Sequence, residues 1–262
     1  MKFMLMGLEA RGEWERLPQA ERDARVGRHQ QALQALVMER EQRGTSGFAV
    51  ASIGLGPVSE ATTVRMQRGT PLVVDGPFAE TKEVLAGFDV IDFASREEAV
   101  AFCTQRCVHD GHVAEIRPVH QMRWAFHGAG RGDVMKFALL IASDENALAN
   151  LPEAEIERGA QHHGNAAMEY ITERGLVRGE SLSWCGVRLR RTPEASTLRR
   201  TGGQVLLADG PFAETKEVLG GLCLIDCASK AEAIHWAEQL AYADRDVIEV
   251  RPVQSMWWIY YD

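Results

Sequence analysis

One segment of eleven residues occurs twice in this chain without a single change. Residues 75–85 and 209–219 both read Asp-Gly-Pro-Phe-Ala-Glu-Thr-Lys-Glu-Val-Leu, 134 positions apart. The same offset relates Met1-Lys2-Phe3 to Met135-Lys136-Phe137, and from residue 59 to residue 124 it needs no gap. A long repeat that occurs only twice predicts a duplicated domain rather than a solenoid of short units.

The boundary between the two copies is predicted in a polar, glycine-rich stretch. Residues 128–133 read Gly-Ala-Gly-Arg-Gly-Asp, a composition typical of a linker. A chain of 262 residues is long enough for two ordinary domains. We therefore expect one domain over residues 1–127 and a second over residues 134–262.

Each copy reads as strand, helix, strand, hairpin, strand, helix, strand. The first copy's predicted elements are strand 2–8, helix 18–43, strand 48–55, a hairpin around Arg68-Gly69, strand 87–93, a helix capped by Ser95, and strand 112–119. Pro118 is expected to stop the last strand. This order predicts an α+β fold of two tandem ferredoxin-like βαββαβ units.

A four-stranded sheet covered by helices on one face leaves its other face to be buried. Two units can bury these faces by packing sheet to sheet, so the copies are expected to form a pseudo-dimer within one chain. The aromatic C-terminal segment, residues 256–261, is expected to pack over the partner repeat, with docking onto another protein as the alternative.

Charge and cysteine content limit the classes of partner. The net charge of -8 argues against a nucleic-acid surface, and no stretch approaches a membrane span, so a cytoplasmic protein is expected. The five cysteines have neither the spacing nor the flanking histidines of a zinc site, and no phosphate or dinucleotide loop appears. The sequence predicts neither a metal nor an organic cofactor.

The repeated segment, with the Thr-Val-Arg before it and the Glu-x-Arg-Pro-Val that closes the unit, resembles the signature of the YCII-related "DGPF" family. The resemblance covers nearly the whole chain twice. It implies a ferredoxin-like dimeric α+β barrel. One related branch contains a dehydrochlorinase acting on a chlorinated hydroxyquinone, for which a His–Asp pair is thought to transfer protons. Members of the family are often encoded near extracytoplasmic-function sigma factors, which suggests stress or regulatory roles.

Histidines on the first helix of each unit are the predicted catalytic candidates. His29 and His163 are related by the offset of 134, and each lies on the apolar stripe of its helix. His162 competes with His163 because the helix register is open. The proposed partners are Asp75 and Asp209, which end a strand before Gly-Pro and are equally able to cap that turn.

A second set of residues is expected to bind substrate. Thr81 and Lys82, with Thr215 and Lys216, can bind an anionic group or serve a structural or interface role. Arg117 and Arg251 can bind a carboxylate in a cavity between the sheets, or simply pair across strands with neighbouring glutamates.

These residues favour two functions, both of which involve a small-molecule ligand that the sequence does not identify. The first is a cofactor-free lyase or isomerase that uses His–Asp acid–base chemistry, and the second is a non-catalytic ligand-binding or regulatory module. A purely structural interaction protein is a third possibility. The sequence leaves open whether the fused pair forms a further homodimer.

Overall fold

The computed structural model describes residues 1–45, 48–107, 111–127, 135–176 and 181–261. The predicted linker lies outside these residues. The first half contains β1 (Lys2–Ala10), α1 (Glu13–Arg16), α2 (Gln19–Gln42), β2 (Phe48–Leu55), β3 (Thr62–Gln67), β4 (Thr70–Asp75), β5 (Glu83–Asp92), α3 (Arg96–Phe102) and β6 (Val113–His127). The second half contains β7 (Met135–Ser143), α4 (Glu145–Ala149), α5 (Glu153–Glu173), β8 (Ser181–Leu189), β9 (Ser196–Thr201), β10 (Gln204–Asp209), β11 (Val218–Cys227), α6 (Lys230–Leu240) and β12 (Asp246–Tyr261).

Eight antiparallel strands, four from each half, close into one barrel. Their order around the ring is β1-β5-β2-β12-β7-β11-β8-β6, and β6 returns to pair with β1. The α+β barrel that the family resemblance implies is confirmed. The two sheets, which the sequence predicts to stack face to face, are also hydrogen-bonded to each other at their edges, and both inner faces form a single core.

Side chains on the two surfaces of the barrel strands enter different cores. Along β1, Met4 and Met6 point into the barrel, whereas Phe3 and Leu5 pack outward against α2 and α3. Because both surfaces are covered, β1 has no polar side chain between Phe3 and Leu8 and lacks the alternation of a half-exposed strand. The corresponding outer core of the second half lies beneath α5 and α6.

The last strand of each half is longer than predicted. Strand β6 was expected to end at Pro118 but continues to His127, and β12 likewise continues past Pro252 to Tyr261. Before the proline each strand pairs on one side with its own half and on the other side with a hairpin strand of the other half, whereas beyond the proline each pairs with a barrel strand of the other half. Proline has no N–H to donate, and here it lies where one ladder gives way to the next.

This crossing confirms that the aromatic segment packs on the partner repeat. Residues 256–261 pair with 48–53 of β2. Met256 and Trp258 contribute to the barrel core, whereas Trp257 packs on the outer core of the first half.

The two hairpins are exchanged between the halves. Strand β3 of the first half pairs with β12 of the second, and β9 of the second half pairs with β6 of the first. Each hairpin therefore brings the loop that follows it, with its Asp-Gly-Pro-Phe sequence, to the opposite half of the molecule.

Candidate functional site

His29 lies on the sheet-facing side of α2 and contacts two polar side chains of the barrel. Its Nε2 is 3.0 Å from Oδ1 of Asp89 on β5 and 3.2 Å from Oγ of Ser52 on β2. The imidazole is 33% exposed, whereas Asp89 is buried. A carboxylate can only accept a hydrogen bond, so Nε2 carries the hydrogen and the lone pair of the neutral ring is on Nδ1.

The sheet next to this cluster is lined by glycines. Ser52 and Asp89 are paired neighbours on the helix-facing surface of the barrel. Two residues along the same surface, Gly7, Gly87 and Gly54 form a row across three strands. A Cβ added at Gly7 would make only an ordinary contact, at 3.8 Å, with a backbone oxygen. One at Gly54 would clash with Oγ of Ser255, and one at Gly87 would lie 2.6 Å from the carbonyl oxygen of Ile53, so space for a further group is limited to the Gly7 end of the row.

The described residues of the second half contain no equivalent cluster. The positions that match Ser52 and Asp89 hold Gly186 and Cys223, and the Trp184 side chain packs over Gly186. The row that matches the three glycines reads Ile141, Gly221 and Arg188. Among the described residues, the cluster of histidine, aspartate and serine beside a row of glycines is therefore found in the first half alone.

His163 makes a different contact from His29. Its Nε2 lies 2.8 Å from Oδ2 of Asp246 at the start of β12, and the same oxygen accepts the backbone N–H of Tyr242 at 2.9 Å. Its neighbour His162 contacts the carbonyl oxygen of Gln239 at 2.9 Å. These contacts tie α5 to the chain between α6 and β12.

The predicted pairs His29–Asp75 and His163–Asp209 are wrong, since the histidines contact Asp89 and Asp246. Asp75 ends β4, an exposed strand, and precedes Gly76, whose φ of 104° suits glycine in a turn. Asp209 forms an exposed ion pair with Arg96. Both aspartates lie on the exchanged hairpins rather than beside α2 or α5.

The Asp-Gly-Pro-Phe loops are instead fixed to the opposite half of the molecule. The N–H of Phe78 donates to Oε2 of Glu249 at 3.0 Å, and the N–H of Phe212 donates to Oε2 of Glu115 at 3.0 Å. Arg65 donates to the carbonyl oxygen of Phe78 at 2.9 Å and to Glu217 at 3.0 Å.

The corresponding bonds of the second loop are made by Arg199, which donates to the carbonyl oxygen of Phe212 at 3.3 Å and to Glu83 at 2.9 Å. The Thr-Val-Arg segment of the first copy and the matching Thr-Leu-Arg segment of the second thus form one network with the Asp-Gly-Pro-Phe and Glu-x-Arg segments, and this network joins the halves.

These two loops enclose a cavity of about 70 Å³ at the junction of the halves. Four of the predicted binding residues line it, namely Thr81, Arg117, Thr215 and Arg251. Both arginines also form buried ion pairs with the glutamate two positions before them. Lys82 and Lys216 are exposed and are not among the residues that line the cavity.

Comparison with known proteins places these segments in one family. A sequence model described as the YCII-related domain matches residues 13–123 and again residues 135–257. The chain belongs to the YCII-related domain family. The halves that share the barrel are thus two YCII-related repeats.

One curated relative of these YCII-related repeats is a protein of Rhizobium meliloti (strain 1021) described as uncharacterised. It is 37% identical over 121 residues, which is 92% of its own length but 45% of this chain. The relative therefore has about the length of one repeat.

Three residues of the first YCII-related repeat were missed by sequence reasoning. Ser52 and Asp89 interrupt apolar strands, but only the pairing of β2 with β5 shows that they meet beneath His29. Glu9 is buried at the end of β1 on the same surface as Gly7, and burial raises its pKa to about 7. An acidic residue directly after an apolar run was the available signal.

Other groups in the described part of the chain are not arranged for metal or thiol chemistry. No cluster of three or more His, Cys, Asp or Glu residues there could hold a metal ion. Burial raises the pKa of the Cys223 thiol to about 12 and that of Cys227 to about 11, which makes both poor nucleophiles. No described helix is long and apolar enough to span a membrane.

Proposed function

We propose that the first repeat catalyses a cofactor-free acid–base reaction, such as elimination or isomerisation, on a small molecule. The observation that carries the proposal is the contact of 3.0 Å between His29, which is 33% exposed, and the buried Asp89. A half-exposed histidine oriented by a buried carboxylate is suited to proton transfer at neutral pH.

The roles of the two groups follow from their hydrogen bond. Asp89 accepts the Nε2 hydrogen, which fixes the tautomer and the orientation of the His29 ring for proton exchange with the substrate. The imidazolium that results is stabilised by the adjacent carboxylate, and it can return the proton to the product or to a leaving group.

The difference between the repeats supports activity in the first repeat alone. Asp89 corresponds to Cys223, and Ser52 corresponds to Gly186. His163 therefore provides a matched control, because it occupies the same helical position without the cluster.

Deuterium exchange in D2O tests this function with defined probes. Small cyclic ketones and a chlorinated hydroquinone would be incubated with the protein, and NMR and chloride release would report proton abstraction and elimination. We expect His29→Gln and Asp89→Asn to lower the rate at least about a hundredfold, the usual contribution of a general base, and His163→Gln to retain it. Unchanged turnover in His29→Gln would refute the assignment.

We also propose that each repeat is a ferredoxin-like unit and that the units, residues 1–127 and 134–262, form a pseudo-dimer. In support, the sheet order within the first half is β6-β1-β5-β2 and within the second is β12-β7-β11-β8. Both follow the last-first-third-second order of barrel strands in a βαββαβ unit. The relative of one-repeat length is consistent with such a unit.

The remaining proposals concern location and partners. We propose a cytoplasmic protein that acts on a small molecule and binds neither nucleic acid nor membrane, supported by its net charge of -8. A further homodimer stays open.

The alternative function, a ligand-binding module, is favoured by the cavity between the Asp-Gly-Pro-Phe loops, whose lining is mainly apolar and does not include either first-helix histidine.

A further inference from the structure

We infer that the cavity between the two Asp-Gly-Pro-Phe loops is a second ligand site, separate from His29, which binds one small uncharged molecule with an apolar body and a hydroxyl group. The inference goes beyond the proposed reaction. It assigns a ligand class to the repeated segment, and no residue of that segment belongs to the His29 cluster.

Both halves build this cavity from equivalent residues. The lining pairs 134 positions apart include Pro77 with Pro211, Phe78 with Phe212, Ala79 with Ala213 and Met6 with Leu140. Because each wall has its counterpart across the same space, the structure predicts one site per chain.

The charges around the cavity are already balanced. Four carboxylates line it, and each has a guanidinium partner within the network, in the ion pairs Glu83–Arg199, Glu217–Arg65, Glu115–Arg117 and Glu249–Arg251. A charged ligand would add an uncompensated charge to a partly buried, mainly apolar space, which is costly. An uncharged ligand avoids that cost.

Polar groups nevertheless remain able to accept a hydrogen bond from a ligand hydroxyl. The hydroxyls of Thr81 and Thr215 donate to the backbone oxygens of Glu83 and Glu217, so their own lone pairs can accept. The apolar part of the ligand would contact proline, phenylalanine and leucine side chains of the wall. A volume of about 70 Å³ holds roughly five water molecules, which limits the enclosed part of the ligand to a few heavy atoms.

Three probes of matched shape test the ligand class. Isobutanol, isobutylammonium and isobutyrate differ mainly in charge, and their binding can be followed by NMR of labelled Met6 and Leu140 methyl groups. Molecules of about five heavy atoms usually bind well below the ceiling of roughly 1.5 kcal/mol per heavy atom, so titrations to roughly 100 mM are needed. We expect isobutanol to bind at least tenfold more tightly than either ion. Equal or tighter binding of an ion, or no binding of isobutanol, would overturn the assignment.

Two single substitutions test whether there is one shared site. Ala79→Leu fills the cavity from the first loop and Ala213→Leu fills it from the second, whereas Glu80→Ala alters an exposed neighbour and is the control. Each leucine variant alone should remove the isobutanol-induced shifts at both Met6 and Leu140, and the control should keep them. If either variant, shown to be folded by its thermal transition, removes only the shift in its own half, the shared site is wrong. The His29 assay is read separately, because neither alanine belongs to that cluster.

Discussion

At the scale of single residues, Glu9 is expected to make stability depend on pH. Its pKa is raised from 4.5 to about 7, mainly by burial and then by the nearby charges of Glu13 and Glu15, while Arg25 and Arg251 oppose the shift. Between these two values the unfolded chain releases the proton that the folded chain keeps. The free energy of unfolding should therefore fall as pH rises from 4.5 to 7, by up to about 3 kcal/mol in total.

Urea unfolding of Glu9→Gln at pH 5 and pH 8 checks this expectation. The variant should differ little from the parent at pH 5, and it should be more stable at pH 8 by up to about 3 kcal/mol. The exposed Glu80→Gln variant serves as the control, and its stability relative to the parent should not change between pH 5 and pH 8. A constant difference between Glu9→Gln and the parent across this range would show that Glu9 titrates normally.

Single residues also show where prediction from sequence ends. The apolar stripe of α2 correctly placed His29 toward the sheet, because helical periodicity is a local property. Its partner was wrong because Asp89 and Ser52 reach it only through the pairing of β5 with β2, a long-range property of the barrel. Asp75 was favoured for its place in a repeated motif, yet the turn at Gly76 already accounts for that motif's Asp-Gly-Pro sequence.

At the scale of elements, the two equivalent hairpin turns differ in backbone strain. In the first turn Arg68 and Gly69 have φ of 52° and 76°, and in the second Gly202 and Gly203 have φ of 58° and 79°. Positive φ at both central residues is typical of a type I′ turn, which glycine adopts without a Cβ clash. Arg68 adopts the same conformation although its Cβ atom clashes with the backbone there.

Arg68→Gly is therefore expected to stabilise the protein by up to about 1 kcal/mol, since the relieved clash exceeds the entropy cost of glycine. Gly202→Ala should destabilise it by a similar amount. Chemical denaturation measures the change in the free energy of unfolding of both variants, and the dependence of that free energy on denaturant concentration should stay unchanged. The account of strain fails if Arg68→Gly is the more destabilising of the two variants.

Element lengths were predictable wherever local signals end an element. Strand β2 and the cap of α3 by Ser95 are confirmed, and α2 differs by one residue at each end. Strands β6 and β12 were predicted too short because proline was interpreted as their end. Whether proline ends a strand or marks a change of partner depends on the other half of the molecule, which no local pattern shows.

At the scale of the whole molecule, neither half has a complete barrel. Strand β12 supplies the neighbour of β2, and β6 supplies the neighbour of β8. The loops add reciprocal bonds, from Phe78 to Glu249 and from Phe212 to Glu115. Separating the halves would expose the inner face of both sheets together with four strand edges, which favours association with another copy.

Residues 1–127 and 135–262, produced as two chains, are accordingly expected to assemble into a one-to-one complex. Its stability should depend on concentration, because the linker no longer keeps the halves together. Light scattering gives the mass of each half and of the mixture, and thermal unfolding at several concentrations gives the dependence. Each half alone should self-associate through the same edges, whereas a stable, monomeric first half would show that the shared barrel is not needed for folding.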